Sequence, residues 1–294
     1  MSKTAMITIA GRPNVGKSTL MNRLVGEKIA IVSNKPQTTR NRISGIVTRE
    51  DTQLVFIDTP GFHKSRTKLG DYMVNIVRES VADVDLILLL VEPIANIGPQ
   101  EEALLEQIKA SGAPAILVIN KIDTVMEKDE LLKVIATYSE KFRFEAVIPI
   151  SARYKDGVSG LLDECEKYAV DSPFFFPDDA TSDQPERQVM AEIIREKLLW
   201  NLDREIPHGT AVEITKFSER DSGVIDIDAT IYCEKQSHKG IIIGKNGAML
   251  KKISSDARKD CERFMGTKVF LQTWVKVKEN WRDSDFLIRN FGYE

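Results

Sequence analysis

Through residues 1–170 short apolar runs alternate with segments whose apolar residues recur every three or four positions. Runs at 6–10 (MITIA), 43–48, 53–58, 85–91 (DLILLLV), 115–119 and 145–150 have strand length and β-branched content. Segments at 17–25, 68–80, 99–110 and 157–170 carry a helical period. The polar turn Arg49-Glu50-Asp51-Thr52 makes 43–48 and 53–58 an antiparallel hairpin. Elsewhere the alternation predicts an α/β fold, a doubly wound, mostly parallel sheet with one antiparallel edge and ligands at the strands' carboxyl ends. Residues 27–42 follow neither period and read as a mobile loop.

Beyond residue 170 the pattern changes. Residues 171–185 (DSPFFFPDDATSDQP) hold three prolines, four acids and no base, the composition of a linker. Phe174-Phe175-Phe176 within it is expected to clamp on a domain surface. A helix with one buried stripe (Val189, Ile193, Ile194, Leu198) follows at 187–202, then strands at 210–217 and 224–233, the second alternating cleanly. A helical pattern at 248–265 and a strand at 268–277 complete the series, with Trp274 and Trp281 expected in the core. The divisions are 1–170, a linker at 171–186, a second domain at 187–280 and a tail at 281–294.

The turn between the first strand and first helix is Gly11-Arg12-Pro13-Asn14-Val15-Gly16-Lys17-Ser18-Thr19. The pattern G-x-x-x-x-G-K-[ST] is a phosphate-binding loop: its glycines let successive N–H groups point inward, and the helix that follows adds its positive dipole end. Lys17 supplies a point charge for β- and γ-phosphates, and the Ser18 hydroxyl is a Mg²⁺ ligand. In the loop that follows, Thr38 and Thr39 precede Arg40, and Thr39 is the candidate to close over a γ-phosphate and Mg²⁺. The strand at 53–58 delivers Asp58-Thr59-Pro60-Gly61, where Asp58 can hold Mg²⁺ through water and the Gly61 N–H can meet a γ-phosphate. Lys17, Thr39, Asp58 and Gly61 are the candidate catalytic residues.

The strand at 115–119 ends in Asn120-Lys121-Ile122-Asp123, where the base is selected. A carboxylate at Asp123 accepts from guanine N1–H and its exocyclic amine. Adenine offers neither, and an unpaired buried carboxylate is costly, so discrimination on the order of ~10⁴-fold is expected. Asn120 ties the base edge to the phosphate loop, the Lys121 stem packs on the ring, and a backbone N–H at Ser151-Ala152 reaches guanine O6. These elements, in this order and on strand ends, resemble the G domain of translation-factor-type GTPases, with GTP and GDP as substrate and product. In Ras-like GTPases a Gln follows the DxxG motif; here Phe62 does, which implies slow intrinsic hydrolysis. His63 beside it reads as a solvated loop residue. In GTPases of this kind the loop Asn, here Asn14, helps hold a potassium ion.

In the second domain Gly240-Ile241-Ile242-Ile243-Gly244-Lys245-Asn246-Gly247 sits between the strand pair and the helix at 248–265. Helix, two strands, a G-x-x-G turn, helix and strand is the order of a type II KH domain, an α+β module. Gly244 and Gly247 allow a tight turn across which a nucleotide backbone lies, with bases in an apolar groove. Ile241, Ile242 and Ile243 are expected to line that groove, Lys245 is placed for phosphate, and Lys239, Asn246, Lys251 and Lys252 are further candidates to bind RNA. Residues 235–282 carry twelve Lys/Arg against four Asp/Glu, net +8, in a chain of net charge -3. That asymmetry is the footprint of a polyanionic partner.

GRPNVGKS, PQTTR, DTPG and NKID joined to GIIIGKNG make the whole chain similar to the Era-type bacterial GTPases. The resemblance implies binding of the 3′ end of 16S rRNA, a role in small ribosomal subunit maturation, and some contact with the inner face of the cell membrane. The alternatives are a GTPase acting in another ribosomal or RNA-modification step, and an RNA-binding scaffold with a regulatory nucleotide site. At 294 residues the chain is long enough for two cores without staples. Cys165, Cys233 and Cys261 are widely spaced, which fits reduced thiols and a cytoplasmic protein. The short apolar part of the N-terminus does not read as a signal peptide. A monomer is expected.

Overall fold

The computed structural model describes residues 1–60, 67–81 and 84–293. The chain divides into two compact units, one holding residues 1–30, 39–65 and 70–183, the other 31–38, 66–69 and 184–294.

The first unit runs β1 (Lys3–Ala10), α1 (Lys17–Val25), β2 (Ile43–Arg49), β3 (Thr52–Asp58), α2 (Lys68–Val81, in this unit from Gly70), β4 (Leu86–Val91), α3 (Pro99–Ser111), β5 (Ala115–Ile119), α4 (Lys128–Ser139), β6 (Ala146–Pro149), α5 (Val158–Glu166) and β7 (Val170–Asp171). The sheet order is β2-β3-β1-β4-β5-β6, with β7 on β1. Neighbours are parallel except β2 on β3 and β7 on β1. Because helices cover both faces, the central strands are continuously apolar. In β4, Leu86, Leu88 and Leu90 enter one core while Ile87, Leu89 and Val91 enter the other.

Two features depart from the periodicity. Helix α4 was not expected, since it buries only Val134 and Tyr138 and so shows a thin apolar stripe. The segment at 157–170 is helical only to Glu166 and ends as β7, whose Val170 pairs with Thr4. The acidic Pro-rich segment runs along the β2–β3 edge. The Gln53 side chain accepts from the N–H groups of Phe175 and Phe176 and donates to the Phe176 carbonyl. The clamp is thus made by backbone, and the Phe175 ring is exposed.

The second unit runs α6 (Glu186–Asn201), β8 (Ala211–Glu219), β9 (Ile225–Cys233), α7 (Gln236–Ile243), α8 (Ala248–Met265), β10 (Val269–Val277) and α9 (Asp285–Asn290). Its sheet order is β10-β9-β8; β8 is antiparallel to β9, whereas β9 and β10 are parallel, joined by the α7–α8 crossover. Inward residues of β9 (Ile225, Ile227, Ala229, Ile231, Cys233) meet Ile193, Ile194 and Leu198 of α6 and Ile253, Ala257 and Cys261 of α8.

Trp281 is fully buried, donating from Nε1 to the Gly209 carbonyl at 2.9 Å, but Trp274 is 44% exposed. On β10 the inward positions are Val269, Leu271, Val275 and Val277, so strand alternation sends Trp274 to the opposite face. Helix α6 also buries more than one stripe: Arg195, Glu196 and Lys197 are enclosed. Residues 31–38 account for part of this. Val32 N–H donates to Glu196 at 2.9 Å, Trp200 Nε1 to the Val32 carbonyl at 2.9 Å, and the Arg195 guanidinium to the Thr38 carbonyl.

Candidate nucleotide site and nucleic-acid interface

Gly16, at φ 104°, caps α1, so the N-terminus of that helix opens on the phosphate loop. Lys17 Nζ donates back to the Gly11 and Arg12 carbonyls, at 3.0 Å each. Burial pulls its pKa down to about 8 against the opposing charge of Asp58. Burial likewise pushes the Asp58 carboxyl up, although Lys17, Ser18, Thr39 and the Thr59 N–H all favour its charged form. Phosphates beside Lys17 and a cation beside Asp58 would each favour the charged form against burial.

The three expected Mg²⁺ ligands converge. Ser18 Oγ is 2.7 Å from Asp58 Oδ2 and 2.8 Å from Thr39 Oγ1, and Thr39 Oγ1 lies 3.3 Å from the same carboxylate oxygen. Asp58 Oδ1 is buried without a hydrogen-bond partner, the kind of orphan that a cation or its water would satisfy. The residues present therefore fit Mg²⁺. Among the described residues no group of three or more His, Cys, Asp or Glu could hold a metal, so an ion here would draw most of its shell from phosphate oxygens and water. Asn14 is exposed at the loop tip with φ 67°. Gly61, Phe62 and His63 lie outside the described residues.

At the base end, Asn120 Nδ2 donates to the Val15 carbonyl at 2.8 Å and its Oδ1 accepts from Ala152 N–H at 3.0 Å. One side chain thus ties the phosphate loop to the Ser151-Ala152 turn. Ser151 Oγ donates to Asp123 Oδ1 at 2.6 Å, aiming a carboxylate that is otherwise exposed. Beside it lies a cavity of about 380 Å³ lined by Asp123, Met126, Lys128, Leu131, Ser151 and Tyr154 among others. Lys121 Nζ donates to the Asn14 carbonyl at 2.8 Å and to Glu92.

In the second unit Gly244 (φ 73°), Asn246 (φ 52°) and Gly247 (φ 77°) break the chain between α7 and α8. A Cβ on Gly244 would stand 2.7 Å from Met249 Cβ, so this turn takes no side chain there. Lys245, Asn246, Lys251 and Lys252 are exposed, Lys239 half-buried. Ile241 is 50% exposed and Ile243 half-buried, but Ile242 is fully buried. The expected apolar lining therefore loses Ile242, which α7 turns into the core with Ile253 and Val275.

The sequence matches two families, described as "50S ribosome-binding GTPase" over residues 6–121 and "KH domain" over residues 205–282. It is 53% identical to GTPase Era of Ruminiclostridium cellulolyticum over 292 residues, 99% of this chain and 98% of that protein. It is 52% identical to GTPase Era of Clostridium kluyveri over the full length of both. The chain belongs to the Era GTPase family. A solved structure of Era with MgGDPNP and nucleotides 1506–1542 of 16S ribosomal RNA superposes with a TM-score of 0.95 at 35% identity, covering 100% of this chain and 99% of that one. An Aquifex aeolicus Era variant bound to GDP·AlF4⁻ does so with a TM-score of 0.95 at 36% identity, covering 99% of each chain.

Several groups around the nucleotide site of this Era-family chain belong to none of its motifs. Arg12 pairs with Glu92 at 2.5 Å and with Glu101 at 3.1 Å, and Glu101 in turn accepts from the Gly98 N–H. Arg23 of α1 donates to the Ala152 and Arg153 carbonyls at 3.1 and 3.2 Å, bracing the turn that Asn120 also holds. One signal was available: Glu92 directly follows a purely apolar strand, at the sheet end where ligands sit.

Proposed function

We propose that this GTPase is a nucleotide-controlled RNA-binding switch that binds the 3′ end of 16S rRNA and acts in maturation of the small ribosomal subunit. Guanine nucleotide binds across Gly11–Thr19, Asp58–Phe62, Asn120, Lys121, Asp123, Ser151 and Ala152. Ser18, Thr39 and Asp58 would hold Mg²⁺, which would supply charge stabilisation for the transferring phosphoryl group. RNA lies across Gly244–Gly247 with Lys239, Lys245, Lys251 and Lys252 on its phosphates and Ile241 and Ile243 toward its bases. Nucleotide work belongs to residues 1–170, RNA work to 187–280, with 171–186 as linker and 281–294 as tail. The cytoplasm is the expected compartment, and among the described residues no helix is long and apolar enough to cross a membrane.

The observation that carries the reading is the open G-x-x-G turn, held in shape by Gly244 against Met249, in one chain with a convergent guanine-nucleotide site. Its switching character is supported by the path of one loop. Thr39 touches Ser18 in the first unit, while residues 31–38, directly before it, pack within the second. Ordering of Thr39 by GTP therefore pulls on a segment anchored to α6. Such a switch needs GTP and GDP to differ by a few kcal/mol between two arrangements, and linkage requires RNA to tighten GTP binding by the same factor.

The test is binding of a short single-stranded RNA with the 16S 3′-end sequence against a scrambled RNA, each with a GTP analogue and with GDP, in wild type and Asn246→Asp. Sequence-selective, GTP-favoured binding lost in the variant is expected. Equal affinity in all conditions, or sedimentation of the GTP form with 50S and not 30S particles, would overturn the reading.

A further inference from the structure

We propose that Glu92 is a positioning residue that couples the phosphate loop to the guanine-recognition segment, so that nucleotide affinity depends on a side chain outside every motif of the site. The placement follows from strand order. Strand β4 lies between β1, which delivers the phosphate loop, and β5, which delivers Asn120 and Lys121. Glu92 is the first residue past β4, and the Asn120 N–H donates to the carbonyl of its neighbour Val91 at 2.8 Å. Each carboxylate oxygen then faces one motif: Oε2 meets Arg12 NH2 at 2.5 Å and Oε1 accepts from Lys121 Nζ.

Lys121 has a second acceptor, the Asn14 carbonyl at 2.8 Å, and Arg12 a second carboxylate, Glu101 at 3.1 Å. Glu92 is the group common to both cations. Arg12 and Lys121 hold its carboxyl below the usual range in spite of burial, which opposes them. Lys121 itself has φ 66°, and its ammonium is fixed by acceptors from two other segments, Asn14 and Glu92. Among the described residues, Lys121 without Glu92 keeps only the Asn14 carbonyl and Arg12 only Glu101, and the link that Glu92 makes between the two motifs is broken.

The inference rests on the guanine-nucleotide reading of this site, and the experiment separates the two. GDP affinity is measured by displacement of a fluorescent GDP analogue from wild type, Glu92→Gln, Glu101→Gln, Lys121→Met and the Glu92→Gln/Lys121→Met double variant. Glu92→Gln is expected to raise the Kd by about tenfold to a hundredfold, the scale of charge-assisted hydrogen bonds. KM for GTP should rise with it while kcat at saturation holds, the pattern of lost uniform binding. Glu101→Gln, which leaves Lys121 anchored, should cost less, and the cost of Glu92→Gln should shrink when Lys121 is already Met.

A Glu92→Gln protein that binds GDP like wild type, a cost equal to that of Glu101→Gln, or full additivity with Lys121→Met would each overturn the coupling. If Glu92→Gln lowers Tm, Glu92→Asp keeps the charge and shortens the reach; unchanged GDP affinity there overturns the proposal, and weakened affinity at unchanged Tm supports it. Failure of the wild type to bind GDP would instead defeat the nucleotide reading itself.

Discussion

Replacing Gly16 by Ala tests whether the phosphate loop and the base site share one fixed joint. The residue stands at φ 104°, and an added Cβ would lie 2.3 Å from Asn120 Nδ2. A left-handed backbone costs an L-residue ~1–2 kcal/mol. The collision adds more, because Asn120 is 3% exposed and cannot swing away without releasing Val15 and Ala152. Each such hydrogen bond is worth ~0.5–1.5 kcal/mol net. Together these give ~2–5 kcal/mol, a GDP Kd raised at least ~30-fold where the cost falls on binding. Gly26→Ala is the control. Gly26 has φ 87° with nothing within 4 Å of an added Cβ, so it carries the backbone cost without the collision and should lower Tm while leaving GDP affinity near wild type. Titration calorimetry with GDP and thermal melts on both variants decide. A Gly16→Ala protein that binds GDP within about threefold of wild type would refute the argument.

Ser151→Ala removes the 2.6 Å hydrogen bond to Asp123 and is expected to weaken GDP about tenfold without changing the melting curve, read by the same calorimetry. Trp281→Ala empties a fully buried site and strips the Gly209 carbonyl of its donor, so the second unit should lose ~3–5 kcal/mol in denaturant melts while GDP binding persists. Removal of Mg²⁺ with EDTA should stop GTP hydrolysis, and added Mg²⁺ should restore it in wild type but not in Asp58→Asn, as followed by phosphate release. Cys165, Cys233 and Cys261 are all buried, and burial pushes the Cys165 and Cys233 thiols up. A thiol-reactive dye should therefore label them only as the chain unfolds.

In the first unit, apolar runs mark strands because the sheet is covered on both faces, and α1 is legible because Leu20, Met21 and Leu24 repeat at helix spacing on its buried side. Helix α4 was illegible for the opposite reason. Polar contacts fared unevenly. Motif chemistry names Lys17, Ser18, Asp58 and Asn120, whose roles follow from residue type and spacing along one segment. Glu92, Glu101 and Arg23 act on partners 80, 89 and 129 residues away, and nothing in local sequence states which cation a carboxylate will meet.

The second unit shows where a period gives the face but not its occupant. Alternation in β9 (IDIDATIYC) assigns Ile225, Ile227, Ala229 and Ile231 to the core, where they are. The same rule applied to β10 puts Phe270, Gln272, Trp274 and Lys276 on the other face, which composition alone had obscured for Trp274. That outer face is partly closed by the tail, as Tyr232 of β9 packs on Phe291 with ring centroids 4.7 Å apart, and Trp281 meets Phe291 at 5.4 Å and Tyr293 at 6.2 Å. Residues 281–293 therefore cover the part of that face around Tyr232, while Phe270 and Trp274 on the same face stay exposed. Helix α7 shows the same division within two turns: it buries Ile242 in the core and leaves Ile241 exposed, with Lys245 and Asn246 exposed just beyond its end, so the period of one short helix decides which isoleucine packs and which stays available at the surface.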